Sequence, residues 1–277
     1  MDAARLERGI NVAFAAVEKV HRLMSFHDPD SDVSRMNRDA FTKSVVVHPW
    51  TWKVLKAAQQ FSQQSNGVFN VAIASILARR RYLPKCRCQP DNAGTWRDIF
   101  LRQNSRVVFR RELGIDLGGI AKGFAVDRAV AALQESGVEA GMVNAGGDLR
   151  VFGPLPRIIY LRHPLNPVLA AGTVRLSERA MATSGVYFTR RKHGTQYVTP
   201  LIDGCTGRSA RKLISVSVAA AECMTADALT KIVFVLRQQA ADLLKQYRAD
   251  ALILERDAAP SWRFNSSCHS PDRTQFD

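Results

Sequence analysis

The chain has 277 residues, 46% of them apolar, and a formal charge of +14, which is enough for one large domain or two small ones around an ordinary globular core. The basic balance suits a nucleic acid, an acidic membrane face or a phosphate-bearing ligand without choosing among them. An odd count of five cysteines without regular spacing excludes a disulfide framework, and no apolar run reaches the length of a membrane span.

In chain order, apolar residues at Leu6, Ile10, Phe14, Val17 and Leu23 recur at helical spacings and predict one amphipathic helix over residues 3 to 25, ending before Asp28-Pro29. The segment Asp30 to Asn37 reads as a turn whose serines cap a short helix. A second helix, about Thr51 to Gln64, is expected to close at Asn66-Gly67. The basic, cysteine-bearing and proline-containing region from Arg79 to Thr95 reads as a loop or insertion. Strands are then predicted at Val107 to Phe109 and Gly114 to Leu117, and a helix from Gly119 to Gln134. Strands follow at Gly141 to Asn144, Leu149 to Phe152, Ile158 to Leu161 and Gly172 to Leu176, and again at Val186 to Thr189, Gln196 to Val198 and Ile214 to Ala219. The last group suggests antiparallel pairing. A helix from Thr225 to Leu236 buries Ala226, Leu229, Val233 and Leu236, and the segment from Ala258 reads as a polar tail that frays.

The most informative stretch is Gly114-Ile-Asp-Leu-Gly-Gly-Ile-Ala-Lys-Gly-Phe-Ala-Val-Asp127. Gly118 and Gly119 admit a ligand close to the backbone, and Lys122 falls in the first turn of the following helix. Unpaired N–H groups at a helix start and the positive end of its dipole favour an anion there, so the pattern reads as an anion site. A plain strand-turn-helix junction with a solvated lysine accounts for the same residues. It is not a Walker loop, because Lys122 is followed by Gly123, and the G-x-G-x-x-G spacing of a dinucleotide fold is absent.

Asp227 and Thr230 stand at i and i+3 on one helix face, a carboxylate and a hydroxyl of the kind magnesium takes. A helix capped by Thr225, with Asp227 complementing the dipole, is the structural alternative. Cys86-Arg87-Cys88 lacks the second pair that structural zinc needs. The basic runs at Arg79-Arg80-Arg81, Arg110-Arg111 and Arg190-Arg191-Lys192 come without the aromatic, zinc-finger or zipper patterns of nucleic-acid binders, and read as solvated loops.

Read together, these segments resemble the ApbE family of FAD:protein FMN transferases over nearly the whole chain. The carriers of the resemblance are Met24-Ser-Phe-His-Asp-Pro-Asp-Ser-Asp-Val-Ser-Arg-Met-Asn37, Gly67-Val-Phe-Asn-Val-Ala72, the Gly114 to Asp127 stretch, Gly141-Met-Val-Asn-Ala-Gly-Gly-Asp-Leu149, Ala182-Thr-Ser-Gly185, Leu201-Ile-Asp-Gly-Cys-Thr-Gly207 and the Asp227 helix, in the family's order. The resemblance implies an α+β fold of mixed and antiparallel sheets with packed helices, spanning residues 1–257 as one domain with residues 258–277 as a tail. It implies an enzyme that splits FAD with magnesium and moves FMN onto a threonine or serine hydroxyl of an acceptor protein carrying an Asp-x-x-Ser/Thr-Gly/Ser-Ala-Ser/Thr target, releasing AMP. On the matching positions FAD contacts fall to Phe26, Asn70, Ala72, Asp116, Lys122 and Ile202, and magnesium to the Gly119 backbone oxygen, Asp227 and Thr230. No nucleic acid is expected as a partner, and no catalytic side chain is assigned.

The departures from the family are specific. Its members usually begin with a strand carrying Met-Gly-Thr, whereas this chain begins in the following helix, so a truncated N-terminus is expected. No leader is legible in the sequence as written, which places the protein in the cytoplasm, or in the periplasm if an upstream segment is missing. Pro200 stands where the family has a histidine, removing an imidazole proton relay that His193 replaces only if its hairpin folds back. Asp203 is followed by Gly204 instead of proline. Lys231 stands where the family commonly has threonine, and an ammonium repels a divalent ion, so either Thr230 serves instead or magnesium binds weakly. Asn70 and Ala72 replace an aspartate and a threonine, at a cost in flavin affinity. A flavin-binding protein of the same fold with reduced or no transfer activity is the alternative that Pro200 raises.

Overall fold

A computed structural model of the chain describes residues 3–84, 94–163, 166, 168–186, 189–193, 196–209, 213–255, 263–264 and 274–276. The Cys86-Arg87-Cys88 pair and most of the expected 79–95 insertion lie outside these residues. The chain folds into two compact units, one formed by residues 1–18, 122–189 and 211–277, the other by residues 19–121 and 190–210. Helices and antiparallel sheets are mixed throughout, the α+β class expected.

The first unit is built on a six-stranded antiparallel sheet ordered β13-β12-β11-β8-β5-β4. Its strands are β4 (Gly141–Ala145), β5 (Asp148–Phe152), β8 (Ala180–Gly185), β11 (Leu213–Ala220), β12 (Asp250–Glu255) and β13 (Arg263–Phe264). Alternation along the strands sorts side chains to two faces. Leu149 and Val151 of β5 and Met181 of β8 pack with Ile159, Leu161, Val174 and Leu176, which belong to a second sheet of β6 (Arg157–Arg162), β7 (Ala170–Leu176) and β14 (Thr274–Phe276). Ala180 packs instead with Val126 and Cys223 of the helices α5 (Ala121–Glu135) and α6 (Cys223–Leu236). The neighbours of Leu149 and Val151 in sequence, Asp148 and Arg150, therefore face the helices.

The long helix α1 (Ala3–Met24) forms as expected but buries a different stripe. Leu6, Ile10 and Phe14 are exposed, while Ala13, Val20 and Met24 are buried. The packed side is the one with small residues: Gly9 lies against Ser136 and Val138, and Ala13 joins Ala129, Val130, Leu133 and Phe152 in one cluster with Val17 packed against it. Two further expectations change. The segment Ala180 to Gly185 is a central strand, although its small side chains gave no strand pattern. In the expected strand Val186 to Thr189, residues 187 and 188 lie outside those described, and Thr189 is in a turn. Of the terminal segment, the described residues form β13, which pairs with β12, and β14, which pairs with β7, and the rest of the expected tail lies outside the described residues.

The second unit holds the remainder of α1, the short α2 (Asp32–Asp39), α3 (Pro49–Gln64), α4 (Ala74–Arg79), a three-stranded sheet ordered β1-β3-β2 and a hairpin. The sheet strands are β1 (Val45–Val46), β2 (Ile99–Arg102) and β3 (Arg106–Phe109), and the hairpin joins β9 (Arg191–His193) to β10 (Gln196–Val198). Ser31 caps α2 by accepting from the Ser34 amide at 3.0 Å, as its sequence position predicts. Asn66 and Gly67 end α3 with φ of 52° and 89°, the left-handed stop expected. The Gly114 to Leu117 segment is not a strand. Asn37 holds it instead, donating to Ile115 O at 2.9 Å and accepting from Ile115 N at 2.7 Å, while Asp116 N donates to Val71 O at 2.9 Å. These bonds take the place of a sheet partner. Among the described residues no helix is long and apolar enough to cross a membrane.

Candidate active site

In the first unit, α5, α6 and the helix-facing side of β5 bring four charges together. Lys122, in the first turn of α5, places Nζ 2.9 Å from Asp148 Oδ2. Asp227 is completely buried in α6, its Oδ2 accepting from the Gly123 amide at 3.1 Å and its Oδ1 paired with the ammonium of Lys231 one turn further on. Burial alone would lower the pKa of Lys122, but the carboxylates of Asp148 and then Asp227 outweigh it and hold the value above the usual lysine range. Burial, then repulsion from Asp227, pushes the Asp148 carboxyl up, with Lys231 and Lys122 opposing. Lys122 and Asp227, separated by about a hundred residues of sequence, thus share one electrostatic environment.

The start of α6 is fixed by a third acid. Asp127 accepts from the amides of Cys223 at 2.9 Å and Met224 at 2.8 Å, capping α6 from outside its own sequence, and it is held by Arg150 at 2.7 Å. The cap expected from Thr225 is therefore supplied by Asp127, the last residue of the glycine-rich stretch. Gly123 is required because a Cβ there would lie 2.3 Å from the Cys223 carbonyl oxygen. Gly146 and Gly147 have a different task. Both have positive φ, of 66° and 101°, in the two-residue turn between β4 and β5, which orients Asp148. Burial, and then the surrounding carboxylates of Asp127, Asp148 and Asp227, drive the Cys223 thiol strongly upward, so it is no nucleophile.

The oxygen pair expected to take magnesium is together, and both members already have protein partners. Thr230 Oγ1 donates to Asp227 O at 2.7 Å and shares a hydrogen bond of 2.7 Å with Ser184 of β8. Both Asp227 oxygens are engaged, one of them by a cation. As arranged, Asp227 and Thr230 do not fit a divalent ion, and no group of three His, Cys, Asp or Glu forms a metal cluster among the described residues.

In the second unit the turns carrying Asn70, Ala72 and Asp116 are adjacent. Asn70 Oδ1 accepts from Ala72 N at 2.9 Å, and the 203–207 turn lies against them, with Gly204 N donating to Val68 O at 2.9 Å. A Cβ on Gly204 would meet Asn70 Cβ and Gly67 O at 2.5 Å each, so glycine here allows the close approach. Burial pushes the Asp116 carboxyl up, against the Gly118 amide that donates to it at 3.1 Å and the nearby His27. Phe26 is half-buried beside His27, and Gly119 sits in the turn before α5. The Ile202 side chain is buried against Ile76 and Leu77, so only its main chain can face a ligand. His193 does not fold back. It pairs with Gln196 and its ring meets Arg79 O at 3.2 Å, while Pro200 lies in a bend beyond the end of β10 at Val198. Arg190 stacks on Tyr197 and Arg191 donates to Arg81 O, local uses that agree with solvated basic runs.

A model of the ApbE family matches residues 3–253 of this chain. An FAD:protein FMN transferase of Vibrio cholerae is 28% identical over 242 residues, covering 80% of this chain and 72% of that protein. A protein of the same name from Treponema pallidum is 26% identical, covering 99% and 83%. Among solved structures, the ApbE protein of Thermotoga maritima aligns with a TM-score of 0.82 at 27% identity, covering 92% and 89%. The flavin transferase ApbE from Vibrio cholerae aligns at 0.78 and 25% identity, covering 96% and 90%. Backbone course and motif order thus agree along the length of the molecule, and the chain belongs to the ApbE family.

Proposed function

We infer that this protein is an FAD:protein FMN transferase: it binds FAD, moves the FMN half onto a serine or threonine hydroxyl of an acceptor protein, and releases AMP. Beside the relatives that carry this name, the observation that supports the reading is the convergence of Lys122 and Asp227 in one charged cluster at the start of α5. An ammonium at a helix start is suited to hold a pyrophosphate and to stabilise charge that grows on its oxygens.

In the transfer, the acceptor hydroxyl oxygen forms a bond to the phosphorus of the FMN half, the bond from that phosphorus to the AMP oxygen breaks with its electron pair, and the hydroxyl proton passes to solvent water. Lys122 holds the phosphoryl oxygens through this step. Phe26, Asn70, Ala72, Asp116 and Ile202 are the further FAD contacts proposed, Ala72 and Ile202 through their main chains because both side chains are buried. Magnesium is the cation that the family resemblance implies, with Gly119 O, Asp227 and Thr230 as its oxygens. The ammonium of Lys231 already stands on Asp227.

The test is incubation with FAD and an acceptor bearing the Asp-x-x-Ser/Thr-Gly/Ser-Ala-Ser/Thr target, with and without magnesium, following in-gel flavin fluorescence and AMP. A fluorescent acceptor band with one AMP released per flavin is the expected result. No covalent flavin under any condition removes the transferase reading, and tight FAD binding without AMP identifies the flavin-binding alternative.

A further inference from the structure

Asp227 has no access to water, and a buried carboxylate persists as an anion only when paired and hydrogen-bonded. Its two oxygens are satisfied by the Gly123 amide and by Lys231, whose ammonium reaches it from i+4 on the same helix, the orientation in which an acid precedes its base. The second carboxylate, Asp148, has Lys122 at 2.9 Å. The cluster is therefore balanced, two carboxylates against two ammonium groups, without an added ion. A divalent cation would have to displace a tethered ammonium from a buried partner, or stand beside it and be repelled.

We propose that Lys231 is the resident cation of this site: its ammonium takes the position at Asp227 that a divalent ion would fill beside a carboxylate and a hydroxyl, and the protein binds its pyrophosphate-bearing ligand without metal. Three observations carry this. Lys231 is seated on the one carboxylate of the expected metal set, the neighbouring Thr230 hydroxyl is fully buried and already bonded to Asp227 O and Ser184, and Lys122 neutralises the remaining acid. The ammonium differs from a metal ion in that chelators cannot remove it. Its three N–H groups can hold Asp227 while others face phosphate oxygens. The identity of the ligand rests on the flavin-transferase reading, whereas the occupation of Asp227 does not.

The experiment titrates Mn²⁺ into the full chain and into Lys231→Thr and Lys231→Arg variants, following the free-ion electron paramagnetic resonance signal, with FAD binding measured in parallel by flavin fluorescence in EDTA or Mg²⁺. The wild type and Lys231→Arg are expected to leave the Mn²⁺ signal unchanged and to bind FAD equally in both media. Lys231→Thr should bind Mn²⁺ at least about tenfold more tightly than the wild type, the scale of effects from groups surrounding a metal, and bind FAD about tenfold more weakly in EDTA than in Mg²⁺. Stoichiometric Mn²⁺ binding by the wild type, or wild-type FAD binding that EDTA abolishes, overturns the proposal. Should Lys231→Thr fail to fold, the wild-type measurements decide alone. Should no form bind FAD, the flavin reading falls while the Mn²⁺ titration still decides who occupies Asp227.

Discussion

The amide of Gly123 donates to Asp227 Oδ2 at 3.1 Å, and this single bond registers the first turn of α5 on α6. The approach leaves no room for a methyl group, since the Cys223 carbonyl carbon and oxygen would lie 2.6 and 2.3 Å away. Both are backbone atoms and cannot swing aside. Gly123→Ala is expected to cost about 1–3 kcal/mol of stability, the usual scale of overpacking, read as a lower urea midpoint at unchanged slope. An unchanged midpoint would mean that the helices separate freely.

Asp127 caps α6 through two amides and holds Arg150 as well. Asp127→Ala should lower stability by roughly 0.5–2 kcal/mol, the range for lost helix caps, with Asp127→Asn falling between the two because its oxygen still accepts. Thermal unfolding of the three proteins gives the order. Equal stability of Asp127→Ala and the parent would show that water caps the helix equally well.

Arg179 is buried and donates to Asp250 at 2.7 Å, to Ala219 O at 3.0 Å and to Arg248 O at 2.7 Å. Removing the guanidinium strands a carboxylate and two carbonyls. Arg179→Met is expected to lose about 3–5 kcal/mol, and pairing it with Asp250→Leu should recover part of that loss. A double-mutant cycle by chemical denaturation measures the coupling, and additive losses would count against a paired role.

His48 caps α3 by accepting from Trp50 N at 3.0 Å through Nδ1, which requires an unprotonated ring. Burial, then the charge of Lys19, lowers its pKa from the usual 6.5, with Asp32 opposing. A depressed folded value means the cap's contribution is complete above pH 6.5 and is lost as pH falls through that lower value. His48→Asn, which caps without titrating, should flatten that part of the stability profile. A slope identical in both proteins would assign it elsewhere.

Lys122 stands where an anion is expected, and its ion pair with Asp148 fixes the ammonium in place. Lys122→Ala should weaken FAD binding by about tenfold or more, as for a lost hydrogen bond to a charged group of 1.5–3 kcal/mol, while Lys122→Arg keeps part of it. Flavin fluorescence titration reads the change. Unaltered affinity in Lys122→Ala would place the pyrophosphate away from α5.

Much of the architecture was legible from local pattern. α1, α3, α5, α6 and the strands β3 to β7, β10 and β11 lie within a few residues of where periodicity and turn residues put them, because apolar spacing and left-handed stops such as Asn66-Gly67 act locally. The buried face of α1 was not legible. Leu6, Ile10 and Phe14 form the more apolar stripe, yet the side that packs carries Gly9, Ala13 and Val17, against Leu133 and Val138. Strand β8 was hidden for a similar reason: Ala, Thr, Ser and Gly have weak strand preference, and its neighbours β5 and β11 impose the conformation.

By itself, the sequence determined the motif order, and with it the family, the anion-favouring start of α5 and the company of Asp227, Thr230 and Lys231 on one helix. Only the tertiary structure decided what those residues touch. Asp127 became a cap because α5 packs against the start of α6, and Asp148 became the partner of Lys122 because strand alternation turned one side of β5 toward the helices. Lys231 became the counter-ion of Asp227 because packing shut that carboxylate away from water and left the ammonium as its neighbouring cation. Helical spacing states which side chains can meet, but burial sets the electrostatic cost that makes one of those meetings obligatory.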